Sequence, residues 1–164
     1  MTARKGLFAK YSNRIFIETG SYEGNGIQQA LDEGFELIYS IEILLKWYLY
    51  CMNRFKDNPN VHLILGDSGE KLAALLNIID EPVTFWLDGH DGAESTPILK
   101  ELKIIRNHPV KTHTIIIDDL RDWKIPVNGV NPDMLREAVM KINPNYVITI
   151  EDGHKKNDIM VARI

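Results

Sequence analysis

Apolar and polar positions along the chain follow two alternating patterns. Short apolar runs bounded by turn residues predict buried β-strands, and longer stretches with apolar residues three and four positions apart predict helices. The predicted strands cover residues 15–19, 35–43, 61–67, 83–89 and 113–119. The predicted helices run from the first strand's turn to about Gly34 and then cover residues 44–55, 69–80, 97–108 and 131–142.

The last part of the chain departs from this alternation of strands and helices. The segments NYVITIEDG and DIMVARI flank a polar HKKN stretch, which predicts an antiparallel hairpin. Five strand–helix units predict a parallel sheet with helices on both faces. We therefore expect an α/β fold in which a single domain over residues 1–164 forms a Rossmann-like, doubly wound sheet of seven strands with a C-terminal antiparallel hairpin.

Composition and charge narrow the classes of protein to consider. The 164 residues are 45% hydrophobic and 26% charged, which is typical of a globular domain. A net charge of −4 argues against a protein that mainly grips nucleic acid phosphates. A single cysteine, Cys51, excludes an intrachain disulfide and a multi-cysteine zinc site. With no signal-like segment and no run of 18 apolar residues, we expect a cytoplasmic protein without a membrane span.

Carboxylates close every one of the five predicted parallel strands. Open α/β sheets bind ligands beyond the carboxyl ends of their strands. The acids at those ends are Glu18, Glu42, Asp67, Asp88 and the Asp118–Asp119 pair. Solvated loop acids would account for one or two of them, so the full set predicts a functional site at this edge of the sheet.

A glycine-rich turn, ETGSYEGNG, follows the first strand. Gly20, Gly24 and Gly26 allow a sharp turn and a close approach of the backbone to a ligand. The spacing is neither the dinucleotide G-x-G-x-x-G pattern nor a P-loop. Together with Glu42, whose carboxylate could bridge ribose hydroxyls, the turn predicts a nucleoside site. Glu18, at its start, suits a positively charged cofactor.

Two further strand ends carry candidate chemistry. Asp67, with Ser68 beside it in the segment GDSG, is interpreted as a hydrogen-bond acceptor for an adenine amine. Asp88, Asp118 and Asp119 should converge from neighbouring strands, and three carboxylates favour Mg²⁺ or a similar hard ion. The alternative is that Asp118–Asp119 only caps a loop.

Histidines and one aromatic helix complete the candidates. His90 is the candidate base because imidazole titrates near neutrality. The remaining histidines are in surface-like sequence contexts and receive no role: His62, His108, His113 and His154. The helix LLKWYLYCMNRF is apolar around too much of its circumference for a surface helix, which favours core burial, with an oligomer interface as the alternative.

These motifs resemble class I S-adenosylmethionine (SAM)-dependent methyltransferases over residues 15–164. The turn ETGSYEGNG is similar to the E-x-G-x-x-x-G turn of metal-dependent O-methyltransferases. The segment FWLDGHDGAEST, followed by a helix and IIIDD, resembles the branch of macrocin O-methyltransferase and cephalosporin hydroxylase-like proteins.

The resemblance implies a role for each candidate residue. Cofactor-binding residues are then Glu18, Gly20, Ser21, Gly24 and Gly26 around the methionine-side loop, Glu42 on the ribose, Asp67 and Ser68 on the adenine, and Asp88. Asp88, Asp118 and Asp119 fall on the divalent-metal ligands, and His90 lies near the family's base. Asp88 and His90 are thus the predicted catalytic residues.

The implied reaction is transfer of a methyl group from SAM to a hydroxyl oxygen, assisted by Mg²⁺ or a similar divalent cation. A small-molecule acceptor such as a sugar or phenol with a vicinal diol would chelate that ion. Two alternatives remain open at this point. One is a SAM-binding protein without transferase activity, and the other is a metal-dependent hydrolase built around Asp88, His90 and Asp91.

Overall fold

Strands and helices alternate in the computed structural model, which describes residues 3–89, 96–123 and 129–164. The strands are β1 (Ile15–Thr19), β2 (Leu37–Glu42), β3 (Val61–Leu65), β4 (Val83–Leu87), β5 (Thr114–Ile117), β6 (Val147–Glu151) and β7 (Ile159–Arg163). The helices are α1 (Leu7–Lys10), α2 (Asn25–Asp32), α3 (Leu45–Arg54), α4 (Ser68–Leu76), α5 (Ile98–Asn107) and α6 (Pro132–Met140), with a 3₁₀ turn at Leu120–Asp122. Within these ranges, every helix is too short or too polar to cross a membrane.

All seven strands join one sheet, in the order β3-β2-β1-β4-β5-β7-β6. Strands β1 to β5 pair in parallel, and β7 lies antiparallel to both β5 and β6. The order of strands reverses between β1 and β4, which makes this the switch point where open α/β sheets bind ligands. The predicted doubly wound sheet with a C-terminal antiparallel hairpin is confirmed.

Alternate side chains of the strands face two hydrophobic layers. Ile17 and Phe85 point to the layer that also contains core residues of α4, α5 and α6. Phe16 and Trp86, their neighbours in sequence, point to the layer formed with α1, α2 and α3. Because both faces are covered, the central strands are apolar at consecutive positions, which explains the unbroken apolar runs in the sequence.

Three of the predicted strands, the third, fourth and fifth, end two residues earlier than expected, and the acids lie just beyond them. Asp88 directly follows β4, Asp118 directly follows β5, and Asp67 is the N-cap of α4. A short acidic side chain favours such positions because its oxygens can accept hydrogen bonds from the free N–H groups of a turn or helix start.

Helix α3 corrects the prediction of core burial. Cys51 is its one buried residue, whereas Leu45 and Leu49 are each 56% exposed and Tyr50 is 50% exposed. The helix packs against β2 and β3, at the edge of the sheet, so only one side of it is covered. An oligomer interface on its outer side stays a prediction.

Two histidines are also placed differently from the prediction, because His108 and His113 are buried. The backbone N–H of Val83 donates to Nδ1 of His113 at 3.2 Å, so the proton of His113 is on Nε2. Nε2 then donates to Nδ1 of His108 at 3.0 Å, and Nε2 of His108 donates to the carbonyl of Ile79 at 2.9 Å. This chain of hydrogen bonds joins the start of β4 to the end of α5, far from the carboxyl ends of the strands.

Burial lowers the pKa of His113 from 6.5 to about 4, and this predicts a pH-dependent contribution to stability. Between these values the unfolded chain binds a proton that the native chain does not, so the contribution is present above pH 6.5 and is lost as the pH falls to 4. The stability advantage of wild type over His113→Gln should therefore shrink by up to about 3 kcal/mol across this range. Urea unfolding of both proteins from pH 4 to 7.5 measures it, and a constant difference would contradict the assignment.

Candidate functional site

The glycine-rich turn brings the backbone of β1 against that of β4 at the switch point. Gly20 has φ 87°, and a Cβ there would lie 2.7 Å from the carbonyl oxygen of Asp88. A Cβ on Gly26, at the start of α2, would lie 1.8 Å from Oε1 of Glu18. A side chain at either position would therefore clash with these neighbours of the turn. Gly24 is the N-cap of α2, as a turn-to-helix connection requires.

Hydrogen bonds join the acids of β1 and β2 to this turn. The carboxylate of Glu42 accepts from the N–H of Tyr22 and from the N–H of Leu44, both at 2.8 Å. Ser40 donates to Oε2 of Glu18 at 2.6 Å, and the Ser21 hydroxyl lies 2.6 Å from that of Ser40. Since the Ser40 proton is committed to Glu18, Ser21 is the donor to Ser40.

Glu18 is the most strongly perturbed acid of the site. It is 2% exposed, and burial raises its pKa to about 8, with the charges of Asp88 and Glu42 acting in the same direction. The hydrogen bond from Ser40 opposes this shift without cancelling it. At neutral pH and without ligand, Glu18 therefore carries a proton, which a nearby positive charge would displace.

Asp88, Asp118 and Asp119 come together as the sequence predicted. Each offers one carboxylate oxygen, and these three oxygens lie within 4.8 Å of one another. Asp118 is 6% exposed, and its buried Oδ1 has no hydrogen-bond partner among the described residues. Burial and the charge of Asp119 raise the pKa of Asp118 to about 7. The donor set, three hard oxygen ligands in a partly desolvated cluster, fits a divalent cation.

Asp67 and Ser68 lie at the start of α4, where both already have protein partners. Oδ1 of Asp67 caps the helix by accepting from the N–H of Gly69 at 2.7 Å. The hydroxyl of Ser68 donates to Oε1 of Glu101, a buried carboxylate on α5, at 2.5 Å. The contact of Asp67 and Ser68 with an adenine stays a prediction.

Three residues around the candidate site were not predicted from the sequence, namely Glu101, Arg121 and Asp158. Oε1 of Glu101 is 3.5 Å from the position of a Cβ on Gly89, next to Asp88. Arg121 forms ion pairs with Asp119 and with Asp158, which is 1% exposed. Of these three residues, only Asp158 could have been found from the sequence. It directly precedes the last strand, β7, just as two of the predicted acids directly follow their strands.

Five predicted residues share one cleft at the switch point, namely Glu18, Gly20, Ser21, Gly26 and Asp88. The wall of this cleft also includes Tyr22, Glu23, Asn25 and Trp86. A larger cavity, about 370 Å³, lies between α1 and the end of β6 and contains none of the predicted site residues. The cleft, together with the aspartate cluster to which its Asp88 belongs, is therefore the candidate site. His90, the predicted base, lies outside the described residues.

Known structures share this fold at low sequence identity. An O-methyltransferase from Bacillus cereus in complex with SAH matches with a TM-score of 0.67 and 15% identity, over 98% of this chain and 78% of that chain. The O-methyltransferase TomG from Streptomyces achromogenes, in complex with SAM, gives a TM-score of 0.64 and 13% identity, with 96% and 76% covered. An rRNA methylase from Streptococcus thermophilus gives 0.63 and 11%, with 96% and 92% covered.

These matches establish the fold as that of class I SAM-dependent methyltransferases, as the sequence motifs predicted. No family profile matches the chain, and no curated protein sequence does. Because an O-methyltransferase and an rRNA methylase match about equally well, the fold by itself does not select an acceptor.

The raised pKa of Glu18 predicts that this acid lowers stability in alkaline solution. Between pH 4.5 and 8 the native chain holds a proton that the unfolded chain has lost, so the free energy of unfolding falls as pH rises through this window. Glu18→Gln should therefore gain stability relative to wild type, on the order of a few kcal/mol by pH 8.5.

Urea unfolding without ligand at pH 5, 7 and 8.5 tests this prediction. Glu70→Gln, on the exposed side of α4, is the matched control and should follow wild type at each pH. A Glu18→Gln protein whose stability stays parallel to wild type would show that Glu18 is ionised in the native chain.

Proposed function

We propose that this chain is a SAM-dependent methyltransferase that methylates a hydroxyl oxygen of a small-molecule acceptor with the help of a divalent cation. The observation that carries the proposal is the meeting of two features at one switch point. A nucleoside-type cradle, made by the glycine turn and by Glu42, which accepts from the N–H of Tyr22 in that turn, lies beside an aspartate cluster suited to a hard cation. Both occur in the fold that SAM-dependent methyltransferases share.

The composition and charge of the cradle suit the cofactor. Gly20 and Gly26 let the turn pack directly against Asp88 and Glu18, where a Cβ would clash, and a nucleoside would lie in the cleft that this turn lines. Each carboxylate oxygen of Glu42 accepts one hydrogen bond from a backbone N–H. A carboxylate has about four acceptor sites, so Glu42 can also accept from ribose hydroxyls. Glu18 offers a negative charge to the methionine end once it loses its proton.

The acid cluster fits a divalent cation. Asp88, Asp118 and Asp119 supply three oxygen ligands, and Mg²⁺ would keep further positions for water or acceptor oxygens. Oδ1 of Asp118 supports this assignment, since it has no donor in the described part of the chain and a buried carboxylate oxygen without a donor is costly unless a cation or proton meets it. When bound, the cation would lower the pKa of an acceptor hydroxyl.

The chain's own residues then have three tasks in the transfer. SAM supplies a methyl group that its sulfonium already activates, so the protein mainly aligns donor and acceptor. Glu42 and the glycine turn fix the donor, and the aspartate cluster fixes the acceptor hydroxyl beside it. His90, two positions after Asp88, is assigned to accept the hydroxyl proton. A vicinal diol of a sugar or phenol is the acceptor chemistry that suits this cluster.

Replacing Glu42 by Gln should weaken SAM binding about ten- to hundredfold, because one charge-assisted hydrogen bond to the ribose is lost. Gln keeps an acceptor for one of the two backbone N–H groups, so the turn should survive better than in an Ala variant. Calorimetry with SAM and SAH measures the affinity, with Glu137→Gln on the exposed side of α6 as control. Unchanged affinity would contradict the ribose assignment. If wild type binds SAM but transfers no methyl group to a broad acceptor panel, a SAM-binding protein is favoured.

Replacing Asp119 by Asn should abolish methyl transfer and weaken metal binding at least tenfold, while the affinity for SAM changes little. The amide keeps the size of the side chain but removes the negative charge that a divalent cation needs. Mn²⁺ titration and SAM calorimetry on wild type and variant separate the two sites. If wild type binds no Mn²⁺ into the millimolar range with SAM present, the metal-assisted mechanism is wrong. Phosphoester hydrolysis without SAH binding would favour the hydrolase alternative.

A further inference from the structure

Arg121 sits between the proposed metal ligands and a buried acid of the C-terminal hairpin. Its Nη1 lies 2.6 Å from Oδ1 of Asp119 and also donates to Oδ2 of Asp158. Its Nη2 lies 3.6 Å from Asp122. The guanidinium therefore partly neutralises an acidic region whose members approach one another from β4, β5 and β7.

The segment that carries Arg121 is fixed to Asp158 by its backbone. The N–H of Leu120 donates to the carbonyl of Asp158 at 2.8 Å, and the N–H of Arg121 donates to its Oδ1 at 3.2 Å. Asp158 in turn donates its N–H to the carbonyl of Glu151 at 3.1 Å. The backbone of Arg121 is thus held in place, while its side chain is 38% exposed.

Asp119 is held in a conformation that few residues with a side chain adopt. Its backbone is left-handed, with φ 55° and ψ 45°, which directs its carboxylate toward both the cluster and Arg121. One carboxylate is therefore within reach of Arg121 and of a cation at the cluster. A divalent cation that binds the three aspartates meets the guanidinium at Asp119 and is repelled by it.

We propose that Arg121 is a built-in counter-ion for the aspartate cluster, which pairs with Asp119 when no metal is bound and competes with the divalent cation for that ligand. This inference rests on the metal site of the proposed function. The change of partner at Asp119 costs little free energy, because Arg121 keeps Asp158 as a buried carboxylate partner when Asp119 turns to the metal. Arg121 is thus a positioning residue: through its pairing with Asp119 it sets the affinity of the aspartate cluster for the metal.

The test is Mn²⁺ titration without SAM, by calorimetry and by the electron paramagnetic resonance of free Mn²⁺. Arg121→Gln, or Arg121→Met if the Gln variant does not fold, should bind Mn²⁺ about tenfold more tightly than wild type because a repelling charge is gone. Arg121→Lys keeps the charge and should stay near wild type. Arg14→Gln is the matched control, since it removes an exposed arginine that pairs with Glu81 at the amino end of β1, and it should leave Mn²⁺ affinity unchanged.

A second measurement needs no metal. In EDTA, a double-mutant cycle between Arg121→Gln and Asp119→Asn, followed by urea unfolding, should show a stabilising coupling between the two side chains. Absence of coupling overturns the counter-ion role.

The outcomes separate the inference from the proposed function. If wild type binds Mn²⁺ but the neutral variants bind it equally or more weakly, the competition is refuted and the metal site stands. If none of the proteins binds Mn²⁺, the metal part of the proposed function fails, and the competition fails with it.

Discussion

Carboxylates buried at the carboxyl ends of the central strands are the constraint on which this structure depends. Glu18 is enclosed behind the glycine turn, and Asp118 is buried directly after β5. Each is close to other acids, so burial and like charge act together and raise both pKa values, to about 8 and about 7. Such an arrangement lowers the stability of the ligand-free chain. Ligands that bring positive charge, as in the function proposed above, would offset this cost.

The neighbouring structure shows how the chain tolerates these acids. Ser40, directly opposite Glu18 in the pairing of β1 with β2, donates to its carboxylate. Two backbone N–H groups point at Glu42, and Arg121 meets Asp119 and Asp158. Among the described residues, Asp118 has a buried carboxylate oxygen that no donor meets, so a cation or a proton would stabilise it there.

The sequence predicted those parts of the fold and site that depend on local patterns. Apolar runs, turn residues and strand-end acids identified the sheet, the glycine turn and the three aspartates. Features that depend on partners distant in sequence were missed. Arg121 and Asp158 are 37 residues apart, and Ser68 and Glu101 are 33 apart, so no spacing rule connects them. The exposure of α3 was mispredicted for a related reason, since its apolar circumference does not reveal that it covers an edge strand.

The fold and the site constrain function to different degrees. Structures with 11–15% identity include an O-methyltransferase and an rRNA methylase, so the sheet order is compatible with small and large acceptors. The charge of the chain distinguishes between small and large acceptors better than the sheet order does. An acceptor rich in phosphates would approach a chain of net charge −4 whose cleft is bordered by aspartates, and it would be repelled unless cations intervened. A neutral hydroxyl compound would meet no such barrier, and two adjacent hydroxyls would gain from the cation that we propose those aspartates hold. The buried acids that destabilise the ligand-free chain would in this way favour a cationic donor, a divalent ion and an uncharged acceptor together.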